Sequence, residues 1–287
     1  MIDRAEIWKN IKRIELQLKG SSANRNQGSY KSAFKGQGMM FSEVRNYHVG
    51  DDVRKIDWNV TARFREPHVK VFEQEMDKNV ILLIDVSSSN LIAFEKNFKF
   101  IRVIEAVSTL LLSAQYEQLN FGALLFTDKK EAYIPPRKGR AHLLKILNIL
   151  LDSFTENQKS SLKAPLEWFK KNKLKKSTLI IISDFKMDLS FIPDLTVLSS
   201  VYQIHLLRIK NNTELVLPKV GWIEILNPET GQSQWVNTNN RTSRNQWLEF
   251  HRNKEQVLDD ACLKHNIPVS DLHLEKEVFD QIRNTFR

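Results

Sequence analysis

Two short apolar runs organise the chain. Residues 80–90 read VILLIDVSSSN and residues 178–184 read TLIIISD. A strand with no polar break needs cover on both faces, as a central parallel strand has between helical layers. Between these runs the period changes. Over residues 94–118 the apolar positions Phe98, Ile101, Val103, Ile104, Val107, Leu110, Leu111 and Ala114 predict a helix with a broad buried face. Residues 121–126 (FGALLF) predict the next strand and 132–134 its short antiparallel partner, while 143–154 and 162–169 predict amphipathic helices. Residues 201–209 read as a further strand, 244–265 as a final helix and 268–273 as an edge strand. Near the start, Ile7, Ile11, Ile14 and Leu18 mark one face of a helix. Strands alternating with helices predict an α/β fold with a doubly wound, mostly parallel sheet of Rossmann type. The expected division is an N-terminal helix plus β-rich extension over 1–76, and an α/β domain over 77–287 with a late β-hairpin insertion at about 212–240.

Both apolar runs end in a carboxylate. Asp85, followed by Ser87 and Ser89, closes the first, and Asp184 closes the second. Alternate residues of an extended tip point the same way, and ligands of open α/β sheets gather at the C-terminal ends of strands. One carboxylate with two hydroxyls is a set of hard oxygen donors, suited to magnesium or manganese more than to zinc. The plainer alternative is a serine turn capping the next helix, with Asp85 hydrogen-bonded nearby. Two strands presenting Asp at one edge weigh towards a site.

Residues 41–63 carry Arg45, Arg54, Lys55 and Arg63 against Glu43, Asp51, Asp52 and Asp57, so their charges nearly cancel and internal ion pairs are expected. Gly50 before two Asp residues marks a turn, Tyr47 and Trp58 read as apolar anchors, and Ile56, Trp58 and Val60 alternate as in a half-buried strand. The segment reads as a β-rich lid, with a partner-recognition surface as the second reading. Farther on, Trp222 and Trp235 flank the NPETG turn at 227–231 and are expected to form a cross-strand aromatic pair.

Composition narrows the classes. The net charge is +9, and no acid occurs between Glu15 and Glu43, where Lys19, Arg25, Lys31 and Lys35 lie among Ser, Asn, Gln and Gly. That stretch reads as a solvated basic linker, with contact to phosphate or anionic lipid as its sharper alternative. The single cysteine, Cys262, excludes an intrachain disulfide and falls on the apolar face of the last helix. Apolar runs stay far below the roughly twenty residues of a membrane span, and a cytoplasmic location is expected. A phosphatase of the haloacid-dehalogenase type needs a second Asp where Ser87 stands. No GxSxG elbow, phosphate-binding GxxxxGK[ST] loop or GxGxxG turn follows a strand, and the seven His lack zinc spacing. Catalysis is not expected.

The order strand, DxSxS, helix, strand, hairpin, helix, strand, Asp resembles the von Willebrand factor A domain and its metal-ion-dependent adhesion site. Residues 41–63 (FSEVRNYHVGDDVRKIDWNVTAR), continuing through Val69, Lys70 and Phe72, resemble the signature of the DUF58 family of bacterial proteins. PPRKGRAHLLKIL at 135–147, LPKVG at 217–221 and NPETG at 227–231 extend the resemblance over most of the chain. It implies a von Willebrand A-like adaptor that is not an enzyme and takes no small-molecule substrate. It implies a magnesium ion held by Asp85, Ser87, Ser89 and Asp184, and a MoxR-type AAA ATPase as partner in a chaperone-like or complex-assembly role. Signature or partner-binding roles fall on Arg45, Tyr47, Gly50, Asp51, Asp52, Arg54, Asp57, Trp58 and Arg63. The alternative from another class is a basic accessory protein that binds nucleic acid or an anionic membrane through residues 19–35. One departure stands out. A complete adhesion site adds a threonine from the loop before the helix that follows the hairpin, and Gly139, Arg140, Ala141 and His142 offer no hydroxyl there. Two readings stay open: magnesium with water completing its octahedron, or a metal-free tip in which Arg140 neutralises both carboxylates.

Overall fold

The computed structural model of the chain describes residues 4–23, 41–48, 53, 56–64, 66–72, 79–87, 98–153, 159–211, 217, 219–226 and 233–286. In chain order the elements begin with α1 (Arg4–Ala23), β1 (Phe41–Asn46), α2 (Trp58–Phe64) and β2 (His68–Phe72). They continue through β3 (Asn79–Asp85), α3 (Phe98–Tyr116), β4 (Asn120–Phe126), β5 (Lys130–Arg137), α4 (Arg140–Ser153), α5 (Lys163–Asn172) and β6 (Ser177–Ser183). A 3-10 turn (Leu189–Phe191), α6 (Ile192–Ser199), β7 (Gln203–Lys210), β8 (Trp222–Leu226), β9 (Ser233–Asn237), α7 (Arg241–Lys264), β10 (Val269–His273) and α8 (Val278–Thr285) complete it.

The main sheet has the order β10-β7-β6-β3-β4-β5. Every neighbouring pair is parallel except β4 with β5, which form an antiparallel hairpin. From β3 the chain winds outwards to β4 and β5, then returns to the other side of β3 and winds the opposite way through β6, β7 and β10. The topological switch point therefore lies between β3 and β6, the two apolar runs. Their register, Leu83 beside Ile181 and Ile84 beside Ile182, brings the two strand tips level.

Burial on both faces explains those runs. Ile81, Leu83, Leu124, Leu179 and Ile181 pack with Leu166 and Phe169 of α5, Leu195 of α6, and Leu258 and Cys262 of α7. The alternate residues Leu82, Ile84, Ile180 and Ile182 are equally buried on the other face, where α3 and α4 pack on β4. The next layer out is α1 and α8, both against α3. Ile7, Ile11, Ile14 and Leu18 are all buried, and this apolar face sets α1 against α3. The chain forms two compact units: one comprises Met1–Ala33 with Lys78–Arg287, the other Phe34–Asp77. Among the described residues no helix is long and apolar enough to cross a membrane.

Within the smaller unit β1 and β2 pair antiparallel, with Arg45 opposite Val69. Tyr47 is half-buried, and its N–H donates to the Pro67 carbonyl at 2.8 Å. The strand expected over Ile56, Trp58 and Val60 is not formed. Ile56 makes one antiparallel bridge to Val69, and the chain then turns into α2, which ends with Arg63 and Phe64. The cause is Asp57, whose Oδ1 accepts from the N–H groups of Asn59 (3.0 Å) and Val60 (3.3 Å) and so caps the helix. Trp58 consequently stands 69% exposed and is no core anchor. Gly50, Asp51, Asp52 and Arg54 lie outside the described residues. In the late hairpin Trp222 faces Asn237 and Trp235 faces Glu224. The tryptophans are diagonal cross-strand neighbours, 65% and 62% exposed.

Candidate functional site

Asp85 and Asp184 meet where the sequence places them, at the C-terminal tips of β3 and β6 on either side of the switch point. Neither carboxylate is open to solvent. The Ser87 N–H donates to Asp85 Oδ1 at 3.0 Å, and the hydroxyls of Ser160 and Ser183 both donate to Oδ2 at 2.7 Å. Ser183 Oγ also accepts from the Phe185 N–H at 3.1 Å, so one of its two lone pairs is engaged as well as its proton. Burial, and then the charge of neighbouring Asp184, push the Asp85 carboxyl upwards against these three donors.

Asp184 is held differently. Lys99, in the first turn of α3, donates from Nζ to Asp184 Oδ2 at 2.8 Å, and the two side chains are only 1% and 2% exposed. Oδ1 accepts from the Lys186 N–H at 3.1 Å. Burial alone would raise the Asp184 carboxyl, but Lys99 and then Lys186 outweigh it and hold it below the ordinary carboxylate range. The turn between these partners is strained: Phe185 has φ of +53°, a left-handed conformation that a bulky residue seldom adopts. Its ring, buried and packed near Phe191, holds it there. Lys254 of α7 adds a hydrogen bond to the Lys186 carbonyl and ties the turn to the neighbouring helix.

One sequence-derived placement changes. Arg140 does not approach the strand tips; it grips Glu15 of α1 through two hydrogen bonds of 2.7 and 3.2 Å. That guanidinium holds Glu15 below its ordinary range. Ser89 lies outside the described residues, so the described part of the expected ligand set is Asp85, Ser87 and Asp184. Their chemistry suits a hard cation, but their arrangement does not fit one. Magnesium binds oxygen at about 2.1 Å. An ion on Asp184 Oδ2 would thus bring two further positive charges to within about 5 Å of a buried ammonium. Asp85, for its part, already accepts one amide and two hydroxyl protons.

Lys99, Ser160 and Ser183 are the residues that sequence reasoning missed. Lys99 did leave a signal: it sits in the string FKF at the start of a helix whose apolar residues recur too densely for one face. Ser183 is the last residue of the β6 run. Ser160 stands in a polar stretch with no local pattern to single it out. Of the basic stretch, Lys19 belongs to α1 and pairs with Glu15 at 3.2 Å, while Arg25, Lys31 and Lys35 lie outside the described residues.

Fold and edge together define an α/β protein with two buried strand-tip carboxylates at the switch point of its sheet. The family model described as "Protein of unknown function DUF58" matches residues 43–257, and the chain belongs to that family. It is 25% identical over 235 residues to the uncharacterized protein Mb1516 of Mycobacterium bovis, an alignment covering 80% of this chain and 73% of that protein. Among solved structures it is similar to the conserved hypothetical protein BatB from Bacteroides thetaiotaomicron. The identity is 11% and the TM-score 0.41, with 72% of this chain and 96% of that chain covered. An aerotolerance-related membrane protein from Bacteroides fragilis gives 12% identity and a TM-score of 0.44 over 72% and 96% of the two chains.

Proposed function

We propose that the protein is a non-enzymatic interaction module of von Willebrand A-like architecture, whose C-terminal sheet edge contacts a protein partner. The observation that carries this reading is the state of the two carboxylates at the switch point. Asp85 and Asp184 are buried and engaged by Ser87, Ser160, Ser183 and Lys99, so they shape the edge and are not presented to a substrate. A general acid or base must reach the proton it moves, and neither carboxyl is placed to do so. The parallel sheet with an antiparallel edge hairpin, and the Asp-x-Ser string at the tip of β3, support the von Willebrand A-like assignment.

The partner we propose is a MoxR-type AAA ATPase, which this chain would serve as an adaptor in a chaperone-like or complex-assembly role. Support comes from the resemblance of residues 41–63 to the DUF58 signature and from membership of that family. An ATPase partner works where ATP is available, which favours the cytoplasm. Gel filtration of the purified chain with a MoxR-type ATPase of the same organism, with and without a non-hydrolysable ATP analogue, tests the pairing. Co-elution in at least one nucleotide state is expected; separate elution in every state would overturn the ATPase as partner.

A further inference from the structure

We infer that Lys99 is the resident cation of the strand-tip edge: its ammonium, buried 2.8 Å from Asp184 beside Asp85, supplies the positive charge that a divalent metal would supply, and the edge assembles without one. The inference concerns the chemistry of the edge and stands whether or not the partner is an ATPase.

Three features of the edge carry it. First, both members of the pair are withdrawn from water, and an ammonium is not buried unless a carboxylate compensates it. Second, Lys99 stands in an apolar stretch of the chain. It lies in α3 between Phe98 and the buried Phe100. The carboxylate of Asp184 is what compensates a cation at that position. Third, the Ser160 and Ser183 hydroxyls beside Asp85 serve the carboxylate itself. Ser160 and Ser183 point their protons at Asp85, and the oxygen of Ser183 accepts from Phe185.

The consequence for recognition is specific. An adhesion site that works through a metal leaves a coordination position open for a carboxylate of the partner, and it is emptied by chelation. Lys99 is too deeply buried to be met by a partner side chain. Recognition at this edge then rests on the surface that the ion pair shapes, and it persists in EDTA.

Thermal unfolding of the full chain in EDTA, in millimolar magnesium and in millimolar manganese tests this, with wild type, Lys99→Ser and the double variant Lys99→Met/Asp184→Asn. The wild-type melting temperature is expected to be the same in all three conditions. Stabilisation of wild type by either metal, reversed by EDTA and abolished by Asp85→Asn, would overturn the inference. Lys99→Ser leaves the buried Asp184 carboxylate without its ammonium, next to the charge of Asp85. It is expected to melt roughly 10 °C lower in EDTA and to recover part of that loss in manganese. A Lys99→Ser protein as stable as wild type and indifferent to metals would also overturn it. Should Lys99→Ser fail to fold, the double variant decides. It replaces the pair by neutral groups of similar size and is expected to fold and ignore metals, while Lys99→Met alone does not fold. Equal stability of Lys99→Met and the double variant would show that the ammonium does not serve Asp184.

Discussion

Ser183 Oγ, at the tip of β6, donates to Asp85 Oδ2 across the switch point at 2.7 Å. This bond joins the two central strands through side chains at the place where their main-chain register ends, with Ile84 beside Ile182. Replacing Ser183 by Ala removes one of the donors to a carboxylate that has no access to water. The expected loss is about 1–2 kcal/mol of unfolding free energy, read as a lower urea midpoint at unchanged slope. A midpoint equal to wild type would show that the hydroxyl does not support Asp85.

Arg208 of β7 fastens the far side of the sheet. Its Nε donates to Asp271 of β10 at 2.7 Å, and its terminal nitrogens grip Asp259 of α7 at 2.9 and 3.3 Å. Arg208 is buried while Asp259 is nearly half exposed, so removing the cation leaves acids that water can partly reach. Arg208→Met is expected to lose about 2–3 kcal/mol, below the range for a fully buried pair. Chemical denaturation measures it, and a loss under about 0.5 kcal/mol, the scale of an ordinary surface change, would contradict the reading.

At Gly122 β4 closely approaches its hairpin partner. A Cβ at this position would stand 2.5 Å from the Ile134 carbonyl oxygen and 2.8 Å from the Pro136 nitrogen. Both are backbone atoms of β5 and cannot swing aside. Gly122→Ala is therefore expected to destabilise by about 1–3 kcal/mol, with faster amide exchange across β4 and β5 than across β3 and β6. Wild-type stability in this variant would mean that the bulged register between Phe121 and Ala123 can shift to make room.

His205 supplies a pH dependence. It is partly buried beside Phe286, bonds through Nε2 to Ser270 Oγ at 3.0 Å, and burial pushes its imidazole down to about 4 from an ordinary 6.5. The folded state thus prefers the neutral ring, and below pH 6.5 the unfolded chain takes up the proton first. The stability this residue contributes is complete above the ordinary value and is lost as pH falls towards 4, in total about 3 kcal/mol. His205→Asn is expected to flatten the urea midpoint between pH 7 and pH 4.5 relative to wild type. An identical slope in both proteins would remove His205 as its source.

Much of the fold was legible because buried parallel strands and long amphipathic helices write dense, regular patterns. β3, β6, α3 and α7 each offer that regularity, and the two strand-tip acids stand at the ends of the plainest runs. The eight-residue helices α6 and α8 escaped notice because two turns give too few apolar positions to separate from a loop. Trp58 was misread because alternation over three residues is weaker than one capping aspartate, Asp57. At the site, sequence showed the carboxylates but not their partners. Charge compensation there is long-range: Lys99 is 85 residues from Asp184, and Ser160 is 75 from Asp85. Arg140, from the loop where a complete adhesion site has its threonine, turned instead to Glu15 of another helix.

The most direct test of the interaction-module reading compares the two ends of the sheet. Lys129 and Lys159 are exposed in the loops at the C-terminal edge, whereas Lys175 and Lys176 are exposed just before β6, at the N-terminal edge. Tagged wild type, Lys129→Glu/Lys159→Glu and Lys175→Glu/Lys176→Glu would each be used to capture partners from host lysate in EDTA, with mass spectrometry as readout. The expected result is an AAA ATPase on wild type and on the N-terminal-edge variant, and a loss of at least about tenfold on the C-terminal-edge variant, equivalent to about 1.4 kcal/mol. Equal capture by all three proteins would contradict a role for the strand-tip edge, and no ATPase on any of them would contradict the partner.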